Sequence, residues 1–233
     1  MRLDKYLAHA NAGSRKEVKL MIRKGFVKIN GEVCKKDDVH VDETKDHITL
    51  FDEEIGYQKY VYIMLNKPQG CVSATVDSMH PTVMDYLDVN LPRDMFPVGR
   101  LDIDTQGLLL LCNDGALSHT LLSPKHHVEK EYEVILDTPI REEEIRLLES
   151  GTIRLDEEAV FPAKVKVLEP NHIHLIISQG KFHQIKRMIH AVHHEVLSLK
   201  RLRMGSLWLD ETLKPGEWRY LSEEEVKQLQ SHD

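Results

Sequence analysis

The sequence predicts an α+β protein in two parts. A small α-β unit occupies residues 1–57, and a larger unit, with a mixed, mainly antiparallel β-sheet and flanking helices, occupies 58–233. Three observations predict this. Apolar residues recur at helical spacing in some stretches and in short runs in others, and the two kinds are segregated along the chain. A polar, acidic break near Asp52–Lys59 separates two self-contained patterns. The 233 residues, 41% apolar and 30% charged, suffice for a sizeable core.

The first unit opens with Leu3, Tyr6 and Leu7 at i, i+3, i+4 spacing, which predicts a short helix. Asn11-Ala12-Gly13 breaks it. Ser14-Arg15-Lys16-Glu17 is a capping box, the serine serving the third amide and Glu17 reaching back. Val18, Met21 and Ile22 form the apolar face of a second helix, and Gly25 suits the position just past its end. At about 100° per residue, Arg15, Lys16, Lys19 and Arg23 share an arc on another face. Phe26-Val27-Lys28-Ile29 reads as a strand and Asn30-Gly31 as a type I′ hairpin turn.

The second unit begins with Tyr60-Val61-Tyr62-Ile63-Met64-Leu65, a continuous apolar strand of the kind buried on both faces. Gly99-Arg100-Leu101-Asp102-Ile103-Asp104-Thr105-Gln106-Gly107 is a charged loop framed by glycines, and Leu108–Cys112 behind it is a buried strand. Carboxylates in such a loop are candidates for chemistry, although a turn with capping aspartates has the same composition. Asn113-Asp114-Gly115 reads as a turn. Tyr132–Leu136 is a strand, and Ala163–Leu168 and His172–Ser178 are two more, joined by the Glu169-Pro170-Asn171 turn. Ile185, Met188, Ile189 and Val192 have helical spacing and place a helix from His183 to His194.

Several classes are excluded. The longest apolar run, Tyr60–Leu65, is far short of the roughly 18 residues that span a bilayer. Arg2, Asp4 and Lys5 are followed by no apolar stretch of the signal-peptide type. Cys34, Cys71 and Cys112 are scattered, which argues against a disulfide scaffold and a cysteine zinc site and suits a reducing cytoplasm. The pairs His126-His127 and His193-His194 diverge on most backbones, and His183 and His190 lie two helical turns apart, so no metal site is expected.

The net charge of −7 hides a local pattern. Met1–Lys36 carries ten Lys/Arg against three acids, and Ser178–Ser206 carries six against one, while Asp37–Glu54 and Asp137–Glu158 hold eight acids each. Two basic segments on an acidic chain suit a localised polyanion site, or else ordinary solvated surface.

A family resemblance sharpens this. Arg2-Leu3-Asp4-Lys5-Tyr6-Leu7, Ser14-Arg15 and Gly25-Phe26-Val27-Lys28-Ile29-Asn30-Gly31 resemble, in order, the S4 RNA-binding domain, over roughly Met1–Phe51. That resemblance implies that Arg15, Lys16, Lys19 and Arg23 meet RNA phosphates, contacts that position RNA without reading its sequence. Asn66-Lys67-Pro68-Gln69-Gly70, Gly99-Arg100-Leu101-Asp102, Lys130-Glu131-Tyr132 and Gly180-Lys181-Phe182-His183-Gln184-Ile185-Lys186-Arg187-Met188 resemble the ordered motifs of pseudouridine synthases. The RsuA-like family, which carries an N-terminal S4 domain, is the most similar. Gly99–Gly107, Ser123–His127 and Gly216–Arg219 look most like its branch acting on small-subunit (16S) rRNA.

The resemblance implies an enzyme that isomerises uridine to pseudouridine, by analogy at uridine 516 of small-subunit rRNA, with no metal and no organic cofactor. Asp102 would be the carboxylate at the sugar, as nucleophile or as base. Burial beside a nucleotide raises a carboxyl pKa, and a nearby cation opposes that rise; Lys186 matches the position supplying the cation. Tyr132 would stack on the uracil, Ile185 would pack in the pocket, and Arg100 would help hold the target base flipped out, at a cost of a few kcal/mol. Lys67, Lys181 and Arg187 complete the expected RNA-binding set, with a plain surface lysine the alternative for Lys67. Asp104 is the rival carboxylate, two residues away. The implied partner is rRNA or a small-subunit assembly particle, with no membrane, and the implied state is a cytoplasmic monomer. Alternatives are a large-subunit (23S) rRNA synthase of the same family and a non-catalytic S4-type assembly factor. A glycosidase would want two carboxylates about 5–9.5 Å apart across a sugar, and it gives the basic segments no role.

Overall fold

The structure, a computed structural model, describes residues 1–10, 12–56, 59–89 and 91–231. Asn11 of the expected helix break, and Tyr57 and Gln58 of the expected boundary, lie outside the described residues. Two compact units result: Met1–Val61 with Val89–Met95, and Tyr62–Asp88 with Phe96–Asp233.

In the first unit, α1 (Leu3–His9) and α2 (Arg15–Arg23) accompany a small sheet of order β2-β1-β3-β4, formed by β1 (Val27–Ile29), β2 (Glu32–Cys34), β3 (Ile48–Leu50) and β4 (Glu53–Glu54). The capping box forms as the sequence requires: Ser14 N–H donates to Glu17 Oε2 at 2.7 Å, and Glu17 N–H donates to Ser14 Oγ at 3.3 Å. The chain leaves α2 through Gly25, at φ +81. Asn30 and Gly31 are both left-handed, φ 52 and 87, as a type I′ turn demands. Leu3, Leu7, Val18, Ile22 and Val27 are fully buried around this unit's core.

The second unit is built on a mixed sheet in which seven strands run β11-β12-β8-β13-β7-β5-β15 among the described residues. These are β5 (Tyr62–Lys67), β7 (Gln106–Cys112), β8 (Lys130–Leu136), β11 (Lys164–Glu169), β12 (His172–Ile177), β13 (Val196–Met204) and β15 (Trp218–Tyr220). The short β6 (Phe96–Pro97) pairs with β7, and β14 (Leu207–Trp208) pairs with β13. Only β13 and β7 run parallel within this set. A separate hairpin joins β9 (Arg154–Leu155) to β10 (Glu158–Ala159). The fold is therefore of the α+β class. Strand β5 is buried along its whole length, as its unbroken apolar pattern requires.

Two differences from the sequence reading have local causes. Asn113-Asp114-Gly115 is the start of a helix, α3 (Gly115–Leu122), rather than a simple turn. Asp114 Oδ1 accepts from the amides of Ala116 and Leu117 at 3.1 Å, while its Oδ2 accepts the Tyr62 hydroxyl at 2.8 Å. The cap is therefore also anchored to β5, a tertiary bond that local propensity does not reveal. The helix expected over His183–His194 is the shorter α5 (Gln184–Ala191), because His183 and His193 are left-handed at φ 48 and 66 and bound it at both ends. Helices α4 (Glu142–Glu149) and α6 (Glu223–Gln230) complete the unit.

Gly107 explains why the charged loop ends in glycine. Its φ is +103, and a Cβ there would sit 2.2 Å from the Arg201 carbonyl oxygen and 2.7 Å from its nitrogen. Only glycine lets β7 come this close to the parallel β13, where Gly107 pairs with Arg201.

Candidate active site

The segment from Leu101 to Thr105 is a tight turn fastened from several sides. Thr105 N–H donates to Asp102 O at 3.0 Å, which makes it a turn rather than an extended stretch. Ser73 Oγ donates to Leu101 O and accepts from Leu101 N–H, both at 2.9 Å. Gly70 N–H donates to Ile103 O at 2.8 Å, and Gln69 Nε2 donates to Asp104 O at 2.8 Å.

Lys67 forms the floor of this turn. It is fully buried, and its Nζ donates to the carbonyls of Pro68, Asp102 and Thr105 at 3.0, 3.1 and 3.0 Å. Its three donors match three acceptors. Burial pushes this ammonium below its ordinary pKa, and the nearby Cys71, Asp104 and Asp102 oppose that. This corrects the placement of Lys67 against RNA phosphate: an apolar strand carries it inward, where it organises the backbone that displays Asp102.

The turn opens on a cleft of about 80 Å³ lined by Arg100, Asp102, Tyr132, Ile177, Lys181, His183, Ile185 and Lys186 among others. Asp102, Tyr132 and Lys186 come from three motifs distant in sequence, and the fold brings them to one wall. Strand β8 supplies Tyr132 and helix α5 supplies Ile185 and Lys186. Tyr132 and Ile185 are buried and Arg100 is exposed.

Lys186 serves both carboxylates. Its Nζ lies 2.6 Å from Asp104 Oδ1 and 3.4 Å from Asp102 Oδ2, so its closer partner is the rival acid. Burial pushes the Asp104 carboxyl up, but the hydrogen bond and charge of Lys186 outweigh it and leave the group below its ordinary value. The Asp102 side chain is 27% exposed against 61% for Asp104, which sets Asp102 deeper in the cleft.

Two other expected RNA contacts of the second unit have carboxylate partners. Lys181 Nζ pairs with Glu158 Oε2 at 2.6 Å, and Arg187 makes a two-pronged pair with Asp156 at 2.8 and 2.7 Å, both on the β9–β10 hairpin. The two acids are largely exposed, so these pairs are weak and exchangeable. On the first unit, Arg15 and Lys16 are exposed, and with Arg2, Lys5 and Lys19 they line a depression of about 500 Å³. Asp4 lies inside it, 3.0 Å from Arg2 and 3.6 Å from Lys19. Arg23 and Lys19 lean toward Asp37, at 3.3 and 3.8 Å. The basic arc is thus open at its Arg15–Lys16 end and partly neutralised at its Arg23 end.

Sequence reasoning passed over three features. His183 Nε2 lies 3.5 Å from Asp102 Oδ1, a second cation-capable group at that carboxylate. Lys130 and Arg201 are buried cations on strands β8 and β13, Arg201 opposite Tyr132 in the register. Lys130 donates to Val128 O at 2.9 Å, and Arg201 Nε donates to Leu108 O at 2.7 Å. Burial, with the charge of Arg201, pushes the Lys130 ammonium down to about 8. Finally, among the described residues, Glu133, His172 and His174 bring three ligand atoms within 4.8 Å. They alternate with Tyr132 and Ile173 to the other face of the sheet. Each imidazole already has a carboxylate, Glu133 for His172 and Glu131 for His174, both at 2.9 Å. A cross-strand register, invisible in the sequence, makes that ladder.

The chain is similar to known proteins over nearly its whole length. Residues 61–191 match the model of the RNA pseudouridylate synthase family, and residues 1–48 match that of the S4 domain. An uncharacterized RNA pseudouridine synthase of Bacillus subtilis is 47% identical over 98% of this chain and 98% of its own length. The ribosomal small subunit pseudouridine synthase A of Haemophilus influenzae is 40% identical over 98% of this chain and 99% of its own. Its Escherichia coli namesake is 39% identical over 97% and 98%. A crystal structure of a pseudouridylate synthase superposes with a TM-score of 0.70 at 40% identity, covering 98% of this chain and 99% of that one.

Proposed function

This chain belongs to the RNA pseudouridylate synthase family, and from that premise we propose that it isomerises one uridine of small-subunit (16S) rRNA, at the site equivalent to uridine 516. The observation that carries the reading is the convergence of Asp102, Tyr132 and Lys186 on one cleft beside the clamped turn. The full-length similarity to small-subunit synthases supports the target.

The reaction breaks the N1–C1′ bond, turns the uracil, joins C5 to C1′, removes the C5 proton and leaves a proton on N1, so that no atom is gained or lost overall. Asp102 acts at the sugar, as the nucleophile on C1′ or as the base removing a sugar proton. Lys186 is the counter-charge at both aspartates, and its hydrogen bond and charge hold the Asp104 carboxyl below its ordinary value. Tyr132 stacks on the uracil, and its hydroxyl assists loss of the C5 proton. Arg100, exposed at the rim, holds the RNA with the target base flipped out. Residues 1–57 act as the RNA-binding domain, with Arg15 and Lys16 on phosphates, and 58–233 as the catalytic domain. The substrate is rRNA, free or in an assembling small-subunit particle, met by a cytoplasmic monomer.

Mapping pseudouridines in rRNA from cells with and without this gene tests the target. One small-subunit position should lose its modification. A loss confined to large-subunit rRNA would replace the small-subunit assignment.

A further inference from the structure

Phe182 and His183 form a stacked pair at the cleft. Their ring centroids are 3.8 Å apart and their planes are inclined by 19°. Consecutive side chains rarely stack, because successive residues of a strand or helix point in different directions. His183 is left-handed here, φ 48 and ψ 33, and this folds its ring against that of Phe182. Side chains adopt that conformation only at a cost.

The imidazole meets two neighbours: its edge atom Nε2 is 3.5 Å from Asp102 Oδ1, and one of its faces carries Phe182. Phe182 is 74% exposed. One face of its ring rests on His183, and the rest meets solvent. So exposed a ring adds little to the core, yet it is stacked on the residue whose Nε2 neighbours Asp102. Arg100 and Lys181 line the same cleft as His183, and both cations suit phosphate once Lys181 exchanges its exposed Glu158 partner.

An RNA that delivers a flipped uridine to Asp102 has lost the stacking between that base and its neighbours. A neighbouring base is then left with an uncovered face close to the cleft mouth. We propose that the open face of Phe182, backed by His183, receives the base adjacent to the target uridine and so holds the RNA in its flipped-out form. The proposal rests on the reading that the Asp102 cleft takes the flipped uridine, and it names a specificity-determining residue outside the reacting atoms.

Base–aromatic stacking contributes about 1–3 kcal/mol per base, equivalent to roughly a 5- to 150-fold change in affinity. The test uses the intact protein, an rRNA fragment that it isomerises, and the variants Phe182→Ala, Phe182→Leu and Phe182→Trp. Phe182→Ala and Phe182→Leu should weaken binding and raise KM by that factor with an unchanged melting temperature, and Phe182→Trp should restore both. Fragments lacking the base on the 5′ or the 3′ side of the target decide the occupant. On one of them the wild type should fall to the level of Phe182→Ala, and the substitution should then cost nothing more. A Phe182→Leu protein as good as the wild type, or a Phe182→Ala penalty of equal size on the intact and both abasic fragments, would overturn the proposal. So would no penalty at all. In each of these cases wild-type isomerisation persists, whereas failure of the Asp102 reading appears as an active Asp102→Asn protein.

Discussion

Replacing Lys67 by Met keeps the length of the side chain and removes its ammonium. The carbonyls of Pro68, Asp102 and Thr105 then lose this donor, although Asp102 O keeps the Thr105 N–H and Pro68 O keeps the Cys71 thiol. A hydrogen bond to a charged group contributes about 1.5–3 kcal/mol, so the gross loss of three is roughly 4.5–9 kcal/mol. Relief from burying a cation offsets part of it, since burial already disfavours the charged form of Lys67. A net loss of about 3 kcal/mol is expected, which for a unit of this size lowers the melting temperature by roughly 6–12 °C. Because the Asp102 carbonyl is one of the three acceptors, isomerisation should fall in the still-folded fraction as well. The salt dependence of RNA binding should not change. Calorimetry and binding at several salt concentrations read both effects. An unchanged melting temperature with a reduced salt slope would show that Lys67 reaches phosphate, and would refute its role as the floor of the turn.

The remaining expectations follow from the same contacts. Tyr132→Phe keeps the stacking ring, so RNA binding and N1–C1′ cleavage should survive while completion of the isomerisation slows by about 100-fold or more, the contribution of a positioned proton acceptor; full wild-type turnover would leave Tyr132 as a platform only. Arg15→Ala with Lys16→Ala should reduce the slope of log affinity against log salt by about 1.4 to 1.8, and Arg23→Ala by much less, because Asp37 already engages Arg23 at 3.3 Å; equal effects would contradict the partial neutralisation of the arc. Lys130 has a folded-state pKa near 8 against an ordinary 10.5. The unfolded chain therefore binds the extra proton between those values, and stability rises with pH across the window by about 3 kcal/mol. Lys130→Met should flatten that rise in denaturation curves taken from pH 7.5 to 10.5, and a curve parallel to the wild type would show that the ammonium is not buried.

Much of this architecture is legible in the sequence because it depends on local chemistry. The capping box at Ser14 and Glu17, the Asn30-Gly31 turn and the apolar runs at Tyr60–Leu65 and Leu108–Cys112 each state their own structure. The framing glycine at 107 is legible too, although its reason is the close passage of Arg201, a residue far away in sequence. What escapes is whatever depends on register or on side-chain direction. Lys67 reads as a surface lysine because charged residues are seldom fully buried, and only the three converging carbonyls reveal otherwise. Lys186 reads as the partner of one aspartate, but the turn from Asp102 to Thr105 presents both carboxylates to it. The stack of Phe182 on His183 has no sequence signature, since it follows from a single left-handed residue.

The central claim is that Asp102, and not its neighbour two residues on, carries the chemistry. Asp102→Asn keeps the shape and hydrogen-bonding capacity of the side chain and removes its charge. An amide is neither a useful nucleophile nor a base, so pseudouridine formation on unmodified small-subunit rRNA should drop to background. RNA binding and the melting temperature should be retained, and binding should tighten slightly as a negative charge near phosphate is lost. Asp104→Asn, assayed beside it, should keep most of the activity, although it removes the 2.6 Å partner of Lys186. Substantial pseudouridine formation by a folded Asp102→Asn protein, with loss of activity in Asp104→Asn, would contradict the account and move the reacting carboxylate to Asp104.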